Sequence, residues 1–210
     1  MNVLNAIEMR KSIRDYASER VKEEEMEAII RAGSLAPVFG RFHITVVQNP
    51  ALLNRLDSAA LEMMKNSGNA FLEKRAAQEG YSPLYGAPAL IILSASGGND
   101  AQGFNMANVS CAAENMIIQA TELGLGTCFV MGPLIAFANP ALLDEFQIPK
   151  GCVPLVGVLV GRQAETAGAD ISETDGKGAG EKGAGEKGAG EKAAGGKNPR
   201  KMPEDITYLN

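Results

Sequence analysis

FNMANVSCAAENMIIQATELGLGTCFVMG, residues Phe104 to Gly132, joins a helix, a glycine turn and a strand. From Phe104 to Leu123 the residues Met106, Val109, Cys111, Ala112, Ala113, Met116, Ile117, Ile118, Ala120 and Leu123 leave almost no polar face. A helix that is apolar nearly all round must be covered by its own chain or by a second subunit. Gly124 stands where helices end in left-handed backbone, and Thr127 to Val130 has strand composition. The glycines admit two readings: a helix C-cap with a tight turn, or backbone that approaches a flat ligand and donates N–H groups to it. The cap explains Gly124 without a ligand and explains Gly132 less readily. A dinucleotide fingerprint fails, because GLGT follows a helix and precedes a strand.

Working outward, Asn2 to Met9 has the spacing of a short amphipathic helix. A second begins near Val21, with Met26, Ile29, Ile30 and Gly33 on one stripe, Lys22 to Glu25 facing water, and Pro37 ending it. His43 to Gln48 is β-branched and strand-like. Asn49-Pro50 caps a helix running to about Lys65, and a further helical stretch covers about Asn69 to Glu79. The continuous apolar run Pro88 to Ala95 predicts a central strand covered on both faces. Asn139-Pro140 opens a helix to about Phe146, and Val153 to Val160 is a last core strand.

The glycine count of 24 hides an uneven distribution: nine fall in the 22 residues from Gly176 to Lys197, a stretch built only of Gly, Ala, Lys and Glu. KGAGE occurs there three times, from Lys177, Lys182 and Lys187. That period fits neither helix nor strand, so a flexible linker is expected, and the apolar residues of the tail beyond it predict that the tail docks. The remaining chain is long enough for one sizeable core. No apolar run is long enough to span a bilayer, no secretory leader is recognisable, and a net charge of −5 opposes a broad nucleic-acid footprint. Cys111, Cys128 and Cys152 are too dispersed for a disulfide scaffold or a metal site, and read as buried apolar residues in a reducing cytoplasm. A single histidine, His43, supplies a catalytic triad poorly and reads as a partly buried polar residue. Glu114 offers an ion-paired interior carboxylate at most.

Arg10-Lys11-Ser12-Ile13-Arg14 places three cations and a hydroxyl where they can surround a phosphate, since guanidinium forks pair bidentately with its oxygens. Taken alone it reads first as a solvated basic turn. Arg200 and Lys201, in the tail, could complete such a site.

In order along the chain, RKSIRDY (10–16), IIRAGSLAP (29–37), HITVVQN (43–49), YGAPALII (85–92), AENMIIQATELGLGTCFVMG (113–132) and the segment from Ile148-Pro-Lys-Gly to VGVLVG (148–161) resemble the nitroreductase-like FMN flavoproteins. The resemblance covers roughly residues 3–165 and the tail from about 199. It implies an α+β fold with a mostly antiparallel central sheet flanked by helices. It further implies a homodimer with the long apolar helix in the interface and an exchanged C-terminal arm. The chain then divides into a flavin domain (1–165), a linker insert (166–198) and an arm completing the domain (199–210). Arg10, Ser12 and Arg14, with Lys11 beside them, match positions that hold phosphate and ribityl. Met131 and Gly132 match positions near the reactive edge of the isoalloxazine, and Arg200 and Lys201 fall where basic residues reach the phosphate. The implied chemistry is ping-pong hydride transfer through flavin N5, from NADH or NADPH to a nitroaromatic, quinone or similar small conjugated acceptor, in the cytoplasm and without membrane or nucleic acid. The sequence departs from the family between Pro37 and His43. There Phe39, Gly40, Arg41 and Phe42, the candidate substrate pocket, form a loop three or four residues short. A flavin carrier or sensor with little turnover is the alternative this shortening suggests.

Overall fold

A computed structural model describes residues 1–98, 103–165 and 205–210. The KGAGE insert, Arg200 and Lys201 lie outside the described residues. The elements run α1 (Val3–Met9), α2 (Glu23–Ser34), β1 (Phe42–Val47), α3 (Pro50–Lys65), α4 (Ala70–Ala76), β2 (Ala89–Ser96), α5 (Phe104–Glu122), β3 (Gly126–Val130), α6 (Pro140–Glu145), β4 (Cys152–Gly161) and β5 (Ile206–Leu209). A 3-10 helix, Gly132–Ala138, joins β3 to α6.

The sheet order is β3-β4-β2-β1-β5. The pairs β3·β4, β4·β2 and β2·β1 are antiparallel, and β5 lies parallel to β1, so the sheet is mixed. Central β2 alternates between two cores. Ala89, Ile91 and Leu93 meet α2 and α5 on one face; Leu90 and Ile92 meet the face covered by α3, the 3-10 helix and α6. Covering both faces is why the strand is continuously apolar. Leu90, Ile91, Ile92 and Leu93 are all fully buried, each burial contributing about 1.5–3 kcal/mol.

The helix ends follow their local chemistry. Asn49 and Asn139 accept N-terminal N–H bonds as caps, each followed by proline. In α2 the Glu25 carboxylate accepts from the Lys22 N–H and also pairs with Arg162, so it is not simply a solvated charge. At the end of α5, Leu125 N–H donates to Ala120 O and Gly124 N–H to Thr121 O, with Gly124 at φ +76°. This is the Schellman arrangement, which turns the chain directly into β3.

Three expectations need correction. Helix α4 stops at Ala76, short of Glu79, because the chain turns out through residues 77–80 with Gly80 at φ +73°. Only Cys128 is buried; Cys152 is half-buried and Cys111 is exposed on α5. Glu114 is exposed rather than interior, because α5 buries one side against the sheet and α2 and leaves Ala107, Cys111 and Glu114 outside.

Candidate functional site

The basic cluster is held by backbone pairing. Beyond α1 the chain runs extended; Ser12 bridges Thr127 in parallel, Tyr16 bridges Gln163, and the Ile13 N–H donates to Thr127 O at 2.8 Å. Ile13 packs where Gly126 has no side chain: a Cβ on Gly126 would lie 2.6 Å from Ile13 Cγ1. The missing side chain lets Ser12 and Arg14 lie against the start of β3.

Cys128 reports what converges there. Burial pushes its thiol up, and it is opposed, in decreasing order, by Arg14, the Ser12 hydroxyl, Arg75 and Arg10. Three guanidiniums from two separate segments therefore act on one strand residue. None of Arg10, Arg14 and Arg75 is ion-paired with a carboxylate among the described residues. Unneutralised cations gathered beside a hydroxyl make this a candidate anion site. Arg10 is half-buried, while Lys11, Ser12 and Arg14 are exposed to a ligand. Tyr16 lies on the protein side: its hydroxyl is buried without a hydrogen-bond partner, and burial raises its pKa far above the phenol range, with Cys128 and Tyr85 adding and Arg14 opposing.

At the other end of β3, Met131 is half exposed and Gly132 begins the 3-10 helix with open space where a Cβ would stand. Thr127 and Met131 are four residues apart on or next to a strand, a span of about 13 Å. One end of β3 is therefore positive and the other is an open, uncharged shelf. An elongated molecule with an anionic tail and a flat apolar head, such as FMN, fits that arrangement.

The loop between Pro37 and His43 lies elsewhere. It precedes β1, and β4 and β2 separate β1 from β3, so within one chain the structure does not bring Phe39, Gly40, Arg41 and Phe42 to Met131 and Gly132. The buried Asn108 of α5 pins the loop, its side chain accepting from Phe39 N–H and donating to Phe39 O. Gly40 sits at φ +107°, and Phe39, 79% exposed, packs on Phe104 with centroids 5.6 Å apart. Arg41 faces Asp205 at 3.9 Å. His43 is buried and its Nε2 lies 3.1 Å from Thr207 Oγ1 of β5, as a structural polar residue would.

Burial lowers the pKa of His43 from 6.5, with Asp205 opposing. A depressed folded value means the native state binds this proton less readily than the unfolded chain. Stability is therefore full above pH 6.5 and falls as the pH drops from there through the folded value. Melting curves between about pH 5 and pH 7 should show this loss, and His43→Gln should flatten it; an unchanged profile in the variant would assign the effect to other groups.

The sequence did not single out Arg75, which bears on Cys128 with Arg14 and Arg10. Arg75 lies in an ordinary amphipathic helix, and nothing in its spacing announces the site.

A mixed five-stranded sheet, a long central helix and a cationic N-terminal segment laid on the strand that follows this helix define the class as an α+β protein. The chain belongs to the nitroreductase family, whose family model matches residues 7–162. It is 27% identical over 179 residues to a Methanothermobacter thermautotrophicus protein named NADH dehydrogenase/NAD(P)H nitroreductase, covering 83% of this chain and 85% of that one. A Bacteroides fragilis nitroreductase crystallised with bound FMN is 29% identical and superposes with a TM-score of 0.73, covering 84% of this chain and 95% of that one. A nitroreductase with bound FMN from Desulfitobacterium hafniense shares the fold at 23% identity and a TM-score of 0.72, over 82% of this chain and 95% of that one.

Proposed function

We propose that this chain is an FMN-dependent NAD(P)H oxidoreductase that reduces small conjugated acceptors such as nitroaromatics or quinones. The observation that carries this reading is the division of β3 between a cationic end and an open end. Arg10 and Arg14 would neutralise the phosphate, Ser12 would donate to phosphate or ribityl, and Arg200 and Lys201 would reach the phosphate from the tail. Met131 and Gly132 would leave the reactive ring edge accessible. When bound, FMN supplies the chemistry by accepting hydride at N5 from NADH or NADPH and passing reducing equivalents to the acceptor in a ping-pong cycle. The protein binds and orients, and no nucleophile or general base is required of its side chains. A visible spectrum followed by anaerobic titration with both nicotinamides tests the reading. Protein that stays colourless after incubation with FMN would overturn it.

A homodimer completes the proposal. Val3, Leu4, Ile7, Met9, Phe104 and Phe129 are exposed apolar residues in one protomer. Residues Phe39 to Phe42 would meet the Met131–Gly132 shelf only across a subunit interface, with α5 in that interface and β5 exchanged onto the β1 edge of the second protomer in place of the same-chain pairing described above. Sedimentation at micromolar concentration should return twice the chain mass. The shortened, pinned 37–43 loop favours a second reading, a flavin carrier or sensor. Rapid bleaching of bound flavin by a nicotinamide, followed by reoxidation with an acceptor, would eliminate it.

Deleting residues 176–197 should leave FMN affinity within about twofold, because loop-closure entropy varies slowly with length. A larger loss would give the insert a binding role.

A further inference from the structure

Arg75 of α4 is braced by two tyrosines. Its Nη2 donates to the Tyr85 hydroxyl at 2.5 Å, and its guanidinium carbon lies 5.3 Å from the Tyr81 ring centroid. The two rings meet edge-on, with centroids 6.0 Å apart. Tyr85 stands at φ +52°, a left-handed conformation that costs a bulky residue free energy and persists where the surroundings impose it. The result is a guanidinium held without a carboxylate partner among the described residues, bonded to a tyrosine that packs against the apolar cluster containing Ile13, Tyr16 and Cys128, so that it bears on the same Cys128 as Arg14 and Arg10. An arginine serving only the fold would ordinarily be neutralised or left free in water. This one is held rigid by neutral and aromatic groups, which preserve its charge for something else.

We propose that Arg75, oriented by Tyr81 and Tyr85, is a third arm of the anion site and binds a phosphate monoester together with Arg10 and Arg14. The inference rests on the flavoenzyme reading above and deepens it, because two phosphate monoesters then visit the protein: the 5′-phosphate of FMN and the 2′-phosphate of NADPH. The packing of Tyr85 against the cluster that holds Ile13, the residue between Ser12 and Arg14, favours the FMN phosphate. Tyr85 is the positioning residue of the unit; it acts through Arg75.

The test titrates full-length wild type, Arg75→Met, Arg75→Lys and Tyr85→Phe with FMN and with riboflavin, which lacks the phosphate, by flavin fluorescence quenching. Arg75→Met should weaken FMN binding about 10- to 100-fold and leave riboflavin within about twofold; Arg75→Lys should recover part of the loss, and Tyr85→Phe should lose less than Arg75→Met. Unchanged FMN affinity with a KM raised for NADPH but not NADH would support the phosphate assignment with the donor as its source. Equal losses for FMN and riboflavin would overturn it, as would no change with any ligand. Should Arg75→Met fail to fold, unchanged FMN affinity in both Arg75→Lys and Tyr85→Phe would overturn the proposal. Wild type that binds no FMN would sink the flavoenzyme reading alone; inorganic phosphate should then still raise the melting temperature of wild type and not of Arg75→Met, and equal shifts in the two would refute the anion site.

Discussion

Arg10→Ala and Arg14→Ala should each weaken FMN binding roughly 10- to 100-fold, the loss expected when a hydrogen bond between charged groups contributes about 1.5–3 kcal/mol. Both side chains lack a carboxylate partner among the described residues, so removing either deletes a ligand contact without stranding an internal charge. The folded state should therefore tolerate the change, and melting temperatures should move little. The double variant should lose on the order of a thousandfold if the two act independently. The contacts lie at a site open to solvent, so raising salt should weaken wild-type binding and have less effect on the double variant. Fluorescence titration gives all of these values. Wild-type affinity in either single variant would remove that arginine from the site.

The second large effect comes from a residue with no side chain. Gly126→Val should lower stability by about 1–3 kcal/mol and reduce FMN affinity with it. The new Cβ would lie 2.6 Å from Ile13 Cγ1 and 3.1 Å from Ile13 Cβ. Ile13 is buried and branched at Cβ, so it cannot rotate out of the way; the extended segment must move instead. Ser12 and Arg14 flank Ile13, so packing and ligand geometry fail together. Gly132→Ala is the contrast, because nothing lies within 4 Å of its ideal Cβ, and its melting temperature should stay near wild type. Thermal melts paired with FMN titrations separate the cases. A Gly126→Val protein with wild-type values for both would show that the segment does not depend on this contact.

Much of the architecture is legible in the amino-acid order because it rests on periodicity and capping. The apolar α5, the doubly covered β2 and the Asn-Pro starts of α3 and α6 are local signals that packing reinforces. The short strand β5 and the 3-10 helix are less so, since Ile206 to Leu209 forms a strand only because the edge of β1 is there to receive it. The same division runs through the site. Arg10, Ser12 and Arg14 are visible as a cluster in the sequence, and the structure lays them on β3 as a cluster. Arg75, the proposed third arm, comes from a distant helix and is held by Tyr85, whose left-handed backbone no propensity would suggest. Met131 and Gly132 look like any strand end until the open space around Gly132 is seen.

The β5 pairing has a further consequence. Its four residues cover the outer edge of β1: Ile44 N–H donates to Asp205 O, and the Gln48 and Asn49 N–H groups both donate to Leu209 O. The strand holds to β1 by main-chain pairing along one edge, Ile44 to Val47 opposite Ile206 to Leu209, rather than by a large contact area. Truncation would cost the protein more than a few contacts. It would turn β1 into an unguarded template with free backbone donors, and the first visible symptom would be edge-to-edge self-association, ahead of unfolding.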